Sequence, residues 1–229
     1  MLRRKRFWFA IMAILPTFAI FGWVRLFPII ETLRLSMHEW NLLSKNKPFV
    51  GFQNFIELFG DNQFLDALTN TAIIAFGAMA VTIPMSLVLA AVIYHRTRSR
   101  FSGFYETAVF IPHVVSLVPA AMAWKWIFDA KLGPLNAMIV GLGGDALPWL
   151  FDPVLSVICI IFLVSWQTLG YGVLIYLVGF RNLPKSVFEA AQLDGASGVQ
   201  SFLYMSVPLL KPITLYVSVV TLISGFNVY

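Results

Sequence analysis

The chain has 229 residues and is too apolar for a soluble globular domain, because 59% of its residues are hydrophobic and only 12% are charged, against roughly 25% charged in soluble domains. Its mean hydropathy of +0.80 is typical of an integral membrane protein. We therefore interpret the net charge of +5 through membrane topology rather than through nucleic-acid binding.

Long stretches without charged residues predict five membrane-spanning helices in a single transmembrane domain, 1–229. The first follows a basic N-terminus, and Trp8 and Trp23 near its two ends are typical of the aromatic belt at membrane interfaces. A cleaved secretory signal is the alternative, but the apolar run is long and no small-x-small cleavage site follows it. The predicted spans, each long enough to cross the hydrocarbon core, are 7–27, 68–94, 105–127, 154–179 and 206–229.

The connections between these spans are predicted from their charges and turn residues. Mixed charge up to position 66 and three acidic residues within 128–153 indicate two outer loops. The third span contains Pro112 and Pro119, which membrane helices tolerate when neighbouring groups satisfy the freed carbonyls.

The distribution of basic residues predicts a cytoplasmic N-terminus, because Lys and Arg concentrate on short cytoplasmic segments. With this orientation, ten of the 16 basic residues and only three of the 11 acidic residues lie on the inner side. The flipped topology would place all ten outside, so we set it aside. The ten are Arg3, Arg4, Lys5, Arg6, Arg96, Arg98, Arg100, Arg181, Lys185 and Lys211.

The segment 181–205 is a polar loop between two of the most apolar segments, and its residues predict a helix, a turn and a second helix. Pro184 can open the first helix, where its missing N–H costs nothing. Gly195 can close that helix in a left-handed conformation. Ser197 can cap the second helix, with Gln200 completing a capping box. On this pattern alone, a helix-turn-helix without a partner is the simplest alternative.

This loop resembles the EAA loop of ABC importer permeases, whose pattern is Glu-Ala-Ala, three residues, Gly, nine residues and Ile-x-Leu-Pro. The matching residues are Glu189-Ala190-Ala191, Gly195 and Met205-Ser206-Val207-Pro208. Met205 and Val207 keep the apolar bulk of Ile and Leu. The run Asp194-Gly195-Ala196-Ser197 and the run from Pro208 to Pro212 resemble the carbohydrate-uptake branch. Glu39-Trp40-Asn41-Leu42-Leu43 echoes that branch's Asp/Glu-Trp-Asn-Leu-Leu, so the resemblance extends over nearly the whole chain.

The resemblance implies an all-α polytopic membrane protein with an ABC importer type I permease core, in which a sixth helix is expected beyond the five visible spans. It also implies that the EAA helix docks in a groove of an ATPase subunit and moves when the ATPase pair closes on nucleotide. Small alanines would allow close approach, and the acidic residues would meet basic partners. An intrahelical Lys185–Glu189 pair is the alternative role for Glu189. The implied ATPase-coupling residues are Glu189, Ala190, Ala191, Asp194, Gly195 and Pro208.

The partners follow from the same resemblance. They are a second, homologous permease, two ATP-binding subunits and an extracytoplasmic sugar-binding protein, assembled in a bacterial or archaeal plasma membrane with its lipid and without nucleic acid. The chain contains no Gly-Lys dipeptide and hence no P-loop. ATP and Mg are therefore expected on the partner ATPase subunits, and no cofactor is expected on this chain.

Residues for catalysis or metal binding are not grouped in this sequence. The single cysteine, Cys159, excludes an internal disulfide and a cysteine metal cluster. The three histidines are far apart, without a His-Glu-x-x-His motif, and no Gly-x-Ser-x-Gly elbow is present. His113 follows Pro112 within a predicted span, and we favour a hydrogen-bonded structural role for it over a functional one.

A sugar path needs polar and aromatic groups within the spans. Trp166 and Gln167 lie near the middle of the fourth span, and Tyr171 lies on the same helical face as Gln167. Ordinary hydrogen bonds between helices are the alternative for each of these residues taken alone. The weaker candidates for a substrate path are Asn70, Thr221, Ser224 and Asn227.

The resemblance therefore implies the permease subunit of an ATP-driven importer that moves a carbohydrate inward by alternating access. A permease for glycerol phosphate, a polyol or another small solute is the alternative within the same class. A membrane-embedded enzyme would need a reactive pair at catalytic spacing, and we find none. A structural anchor without a solute path is the third hypothesis, and it predicts that changes at Trp166, Gln167 and Tyr171 leave transport intact.

Overall fold

The computed structural model describes residues 2–40, 47–96 and 102–227. The predictions for Asn41-Leu42-Leu43, for Arg98 and Arg100 and for the end of the last span at 228–229 lie outside the described residues. Within those ranges the regular structure is helical apart from an isolated bridge between His38 and Phe49, so the all-α prediction is confirmed. Contacts divide the chain into two compact units, Met1–Ala67 and Leu68–Tyr229.

The first unit contains one long helical run and one short helix. Helix α1 (Leu2–Phe21), a π-helical turn (Gly22–Leu26) and α2 (Phe27–Leu35) follow one another directly. Helix α3 (Gln53–Gly60) is tied to the end of α2, because the side-chain amide of Asn54 donates to the carbonyls of Ser36 at 2.8 Å and His38 at 3.0 Å.

The second unit holds all the candidate site residues. Its first helix begins a few residues earlier, within the first unit. The described helices are α4 (Asn62–Arg96), α5 (Ser102–Val114), α6 (Leu117–Ile127), α7 (Pro134–Gly141), α8 (Pro153–Arg181), α9 (Lys185–Leu193), α10 (Gly198–Ser201), a π-helical turn (Phe202–Ser206), α11 (Val207–Leu209) and α12 (Lys211–Phe226).

Helix α8 is the central element of this unit. It packs against α5 at Gly170, where an added Cβ would overlap the backbone carbonyl of Val109. Small residues permit such close approach, which drives helix association in membranes. The hydroxyl of buried Tyr176 donates to Oγ1 of Thr214 on α12 at 3.0 Å, and Thr82 of α4 and Thr168 of α8 share a hydroxyl hydrogen bond at 3.2 Å. Helices α4, α5 and α12 are therefore all joined to α8.

By length and composition, three helices in the described ranges can cross a membrane: Arg6–Leu35, Asn62–His95 and Pro153–Arg181. Two bent helix pairs raise this number to five if each pair forms one span, namely Gly103–Val114 with Leu117–Ile127 (94°) and Gly198–Leu209 with Lys211–Phe226 (68°). The segment predicted as a third span, 105–127, thus contains two helices separated by an extended residue, Ser116. The limits of the spans relative to a membrane stay predictions.

Candidate functional site

The two short helices of the coupling loop, 181–205, begin and end at the residues that the sequence indicates. Gly195 has φ +78°, and the N–H groups of Gly195 and Ala196 donate back to the carbonyls of Gln192 and Ala191 at 3.1 and 2.9 Å. These bonds form the Schellman motif that ends a helix in a left-handed residue. Pro184 precedes α9, and the predicted capping box between Ser197 and Gln200 is present before α10. The local structure predicted for this loop is confirmed.

The coupling residues divide into an exposed set and one buried residue. Glu189, Ala190, Asp194, Gly195 and Pro208 are exposed, whereas Ala191 is only 4% exposed. The small side chain of Ala191 therefore packs inside this unit. Both alanines were expected to let a partner surface approach closely, and only Ala190 is exposed for such a contact.

The carboxylate of Glu189 is open to the surroundings of the chain. It lines a groove of about 380 Å³ together with Lys185 and Gln192. Among residues 2–40, 47–96 and 102–227, Glu189 has no ion-pair partner, so the alternative of a Lys185–Glu189 pair does not account for it. Leu193, one turn further along α9, is 90% exposed. An apolar side chain and an unpaired charge thus share the exposed part of this helix.

The coupling loop is attached directly to α8, whose last residue is anchored to α5. Nη2 of Arg181 donates to Oε1 of Glu106 at 2.6 Å. Both side chains are partly accessible, at 52% and 23%, so this pair contributes at most about 1 kcal/mol. The pair matters for position rather than for stability, because it holds the start of α5 beside the end of α8, where the coupling loop begins.

In the middle of α8, Tyr171 belongs to a group of polar and aromatic side chains from three helices. Its hydroxyl lies 2.7 Å from the hydroxyl of Tyr216 on α12. The ring of His113, on α5, stacks against the Tyr171 ring with centroids 5.2 Å apart. Tyr216 is 49% exposed and His113 is also exposed. We call His113, Gln167, Tyr171 and Tyr216 the mid-helix cluster.

Gln167 of this cluster is engaged inside the unit. Its Nε2 donates to the carbonyl of Val115, at 3.0 Å, in the break between α5 and α6. In return, Nδ1 of His113 lies 3.2 Å from the backbone carbonyl of Gln167. Since that carbonyl can only accept, Nδ1 is the donor, and the predicted hydrogen-bonded role of His113 is confirmed.

Trp166 faces a different neighbourhood from Gln167. Its ring packs edge-to-face on Trp124 of α6 with centroids 5.6 Å apart, and Trp124 also contacts Phe162 and Phe128. The structure therefore places Trp166 in an aromatic cluster between α6 and α8, and it does not bring Trp166 to the Tyr171–Tyr216 pair.

The weaker candidates do not gather around Tyr171 either. Thr221 is buried in the face of α12 that includes Val217 and Gly225. The hydroxyl of Ser224 donates within its own helix to Val220 at 3.0 Å. Asn70 is exposed on α4, and Asn227 is exposed directly after the end of α12. Sequence reasoning did not find Tyr216, although a tyrosine within an uncharged run carries the same signal as Tyr171.

The segment 128–153, interpreted only as an outer loop, is internally hydrogen-bonded. The side-chain amide of buried Asn136 donates to the carbonyls of Ala130 and Leu147, and it accepts from the Leu147 amide and from Nε1 of Trp149. Asp129 accepts hydrogen bonds from the N–H groups of Leu132 and Lys131, and these lower the pKa of its carboxyl below the usual 3.8.

The described residues contain no group of three or more His, Cys, Asp or Glu side chains that could hold a metal ion. What the geometry offers is an exposed loop at one end of α8 and a polar cluster in the middle of that helix.

Comparisons with known proteins show the family to which this chain belongs. The sequence profile of the family described as "Binding-protein-dependent transport system inner membrane component" matches residues 82–229. The probable ABC transporter permease protein YurN of Bacillus subtilis is 34% identical over 204 residues, which is 88% of this chain and 70% of that protein. The lactose transport system permease protein LacF of Rhizobium radiobacter is 31% identical over 216 residues, which is 93% of this chain and 71% of that protein.

A solved structure agrees with these sequences. A bacterial ABC transporter involved in the import of the acidic polysaccharide alginate contains a chain with 26% identity and a TM-score of 0.79, and the match covers 98% of this chain and 75% of that one.

Fold, site and comparisons together define a multi-pass ABC transporter permease of the plasma membrane, with the ABC importer permease fold that the EAA loop indicated. The chain belongs to the family of binding-protein-dependent transport system inner membrane components. A binding protein is therefore among its partners, and its family is one of transport proteins rather than of catalytic enzymes.

Proposed function

We propose that this chain is the permease subunit of an ATP-driven importer that moves a sugar or oligosaccharide into the cell by alternating access. The observation that carries the proposal is the continuity of α8, which joins the exposed coupling loop to the tyrosine pair on Tyr171. The carbohydrate class is supported by the relatives, since LacF is named for lactose transport and the solved transporter for alginate import.

The coupling loop is proposed to meet an ATPase subunit on the cytoplasmic side. Glu189 and Asp194 supply exposed charges for basic groups of the ATPase, and Ala190 admits close contact. Leu193 supplies exposed apolar surface next to them. Gly195 fixes the angle between the two helices. Pro208 lies at the entry to α12, where it stiffens the connection between the loop and the membrane.

The tyrosine pair is proposed as a contact for the sugar. A pyranose ring has an apolar C–H face and hydroxyl groups at its edge, and tyrosine offers both an aromatic face and a hydroxyl. Tyr171 and Tyr216 present these groups together, with His113 stacked behind Tyr171. Trp166 and Thr221 pack between helices away from this contact, and Ser224 bonds within its own helix.

The proposed assembly contains this permease, a second homologous permease, two ATP-binding subunits and an extracytoplasmic sugar-binding protein. ATP and Mg are bound by the ATPase subunits. The N-terminus of this chain lies in the cytoplasm, which puts the coupling loop on the same side as the ATPases. Nucleotide-driven closure of the ATPase pair would then push the loop and close the inner side of the path while the outer side opens.

The test is ATP-driven uptake in vesicles that contain the complete complex, with sugars, oligosaccharides and glycerol 3-phosphate as solutes. We expect uptake of a carbohydrate that requires ATP, the binding protein and this permease. Uptake of glycerol 3-phosphate alone would assign the polyol class instead. Turnover of a lipid or glycan by the purified chain without ATPase partners would contradict the transport proposal.

A further inference from the structure

The break between α5 and α6 leaves a backbone carbonyl without a helical partner. Val115 and Ser116 separate the two helices, which are bent by 94°. In a continuous helix the carbonyl of Val115 would accept from the N–H of residue 119. That residue is Pro119, which has no N–H. An unsatisfied carbonyl inside a membrane is unfavourable because no water is present to donate to it, so such a group needs a donor from elsewhere.

Gln167 supplies this donor from another helix. Its Nε2 lies 3.0 Å from the Val115 carbonyl, and the two residues are 52 positions apart in the sequence. The bond has a counterpart in the opposite direction, because Nδ1 of His113 donates to the Gln167 backbone carbonyl at 3.2 Å. The two bonds fix the end of α5 and the adjoining residue of the break to one position on α8.

Helix α5 is joined to α8 at two further points between the break and the coupling loop. Gly170 lies against the backbone of Val109, and Arg181 pairs with Glu106 at 2.6 Å. These contacts follow the two antiparallel helices from their middle to the end where α9 begins. A displacement of the coupling loop that moves α8 would therefore carry α5 with it up to the break.

We infer that Gln167 is a positioning residue: its amide supplies the donor for the Val115 carbonyl at the α5–α6 break and ties this break to the helix that leads into the coupling loop. The inference rests on the proposed function and deepens it. It proposes that movement of the coupling loop reaches the outer half of the third span at this break. One of the two Nε2 protons of Gln167 is therefore committed to the Val115 carbonyl rather than to the sugar.

The test compares two substitutions in α8 that remove polar contacts of similar kind. Gln167→Met keeps an unbranched side chain of similar length without the donor. Thr168→Val is the matched control, since it removes the hydroxyl contact with Thr82 but does not touch the break. Spin labels are placed at exposed Phe104 on α5 and exposed Met122 on α6, in a Cys159→Ala background of the complete importer.

We expect Gln167→Met to shift or broaden the label-to-label distance across the break and to lower solute transported per ATP about tenfold, the change that corresponds to roughly 1.4 kcal/mol. Thr168→Val should keep the wild-type distance distribution. Gln167→Asn, which retains a shorter amide, should give an intermediate distribution, and it replaces Gln167→Met if that variant does not assemble. An unchanged distribution in Gln167→Met, or an equal change in Thr168→Val, would overturn the inference.

The distance measurement also separates the two proposals. If the wild-type complex transports no carbohydrate, the proposed function fails, while the distance distributions still decide whether Gln167 holds the break. If wild-type transport is intact and Gln167→Met behaves as Thr168→Val does, only the role of Gln167 fails.

Discussion

The coupling loop and the mid-helix cluster are built from contacts of very different sequence range. In the loop, the bonds that end α9 and cap α10 join residues at most five positions apart. In the cluster, Gln167 reaches Val115 across 52 positions and Tyr171 reaches Tyr216 across 45. The loop can therefore keep its shape while it moves as a body, whereas the cluster changes whenever one of its three helices moves.

The largest effect is expected in the loop, from Gly195→Val. At φ +78° a β-branched residue is strained by about 1–2 kcal/mol, so the angle between α9 and α10 should be lost. We expect transport to fall at least about tenfold and ATPase association to weaken, as measured by uptake and by pull-down of the ATPase.

Gly198→Ala is the matched control, because neither glycine has a neighbour that an added Cβ would meet, and only Gly195 has positive φ. The alanine should leave transport and association at wild-type level. Equal losses in both variants would show that the left-handed turn is not what the loop needs.

In the mid-helix cluster, substitutions should change the apparent KM for sugar rather than the association with the ATPase. Tyr171→Phe and Tyr216→Phe each remove one hydroxyl of the pair, so we expect the apparent KM for sugar to rise about three- to tenfold with little change in coupled ATP hydrolysis.

Tyr176→Phe provides the comparison, since it removes the bond to Thr214 in the buried core. It should lower the free energy of unfolding by about 1 kcal/mol, seen as a lower thermal midpoint of the complex, without a change in the apparent KM for sugar. A stability loss alone in the Tyr171 variant would place that residue with the packing residues.

A smaller effect is expected from Glu189→Gln. The exposed carboxylate has no ion-pair partner within the described ranges, so neutralising it should not affect the folding of this chain. The substitution should weaken association with the ATPase about three- to tenfold, because one charged contact is lost. High salt should reduce this difference in affinity between wild type and the Glu189→Gln variant. Salt-independent binding of both proteins would argue against a charged contact.

The smallest effect is expected in the segment 128–153, the predicted outer loop. The folded pKa of Asp129 is lowered by the N–H groups of Leu132 and Lys131. Its carboxylate therefore contributes stability that is present above the unfolded pKa and is lost as the pH falls through the folded pKa. We expect Asp129→Ala to lower the thermal midpoint slightly at pH 7 and to approach the wild-type midpoint as the pH falls through the folded pKa of Asp129.

The difference in sequence separation between the contacts of the loop and those of the cluster also explains which features the sequence predicts. Caps and turns are local, so Gly195, Ser197 and Gln200 could be assigned from their spacing. Pro112 and Pro119 indicate that carbonyls in the third span need donors from neighbouring groups, but spacing does not reveal that Gln167 of α8, 52 positions from Val115, supplies one of them. Ala190 and Ala191 are identical in the sequence, and only packing separates the exposed one from the buried one.

The central claim is that the coupling loop faces the cytoplasm and is covered by the ATPase, and labelling of Ala190→Cys in a Cys159→Ala background tests it most directly. Leu142→Cys, at an exposed position in the segment that is predicted to lie on the outer side, reports the opposite side. A membrane-impermeant maleimide should label position 190 only in inside-out vesicles, and bound ATPase should protect it, while position 142 reacts only from the outside. Labelling of position 190 from the outside, or no protection by the ATPase, would contradict the account.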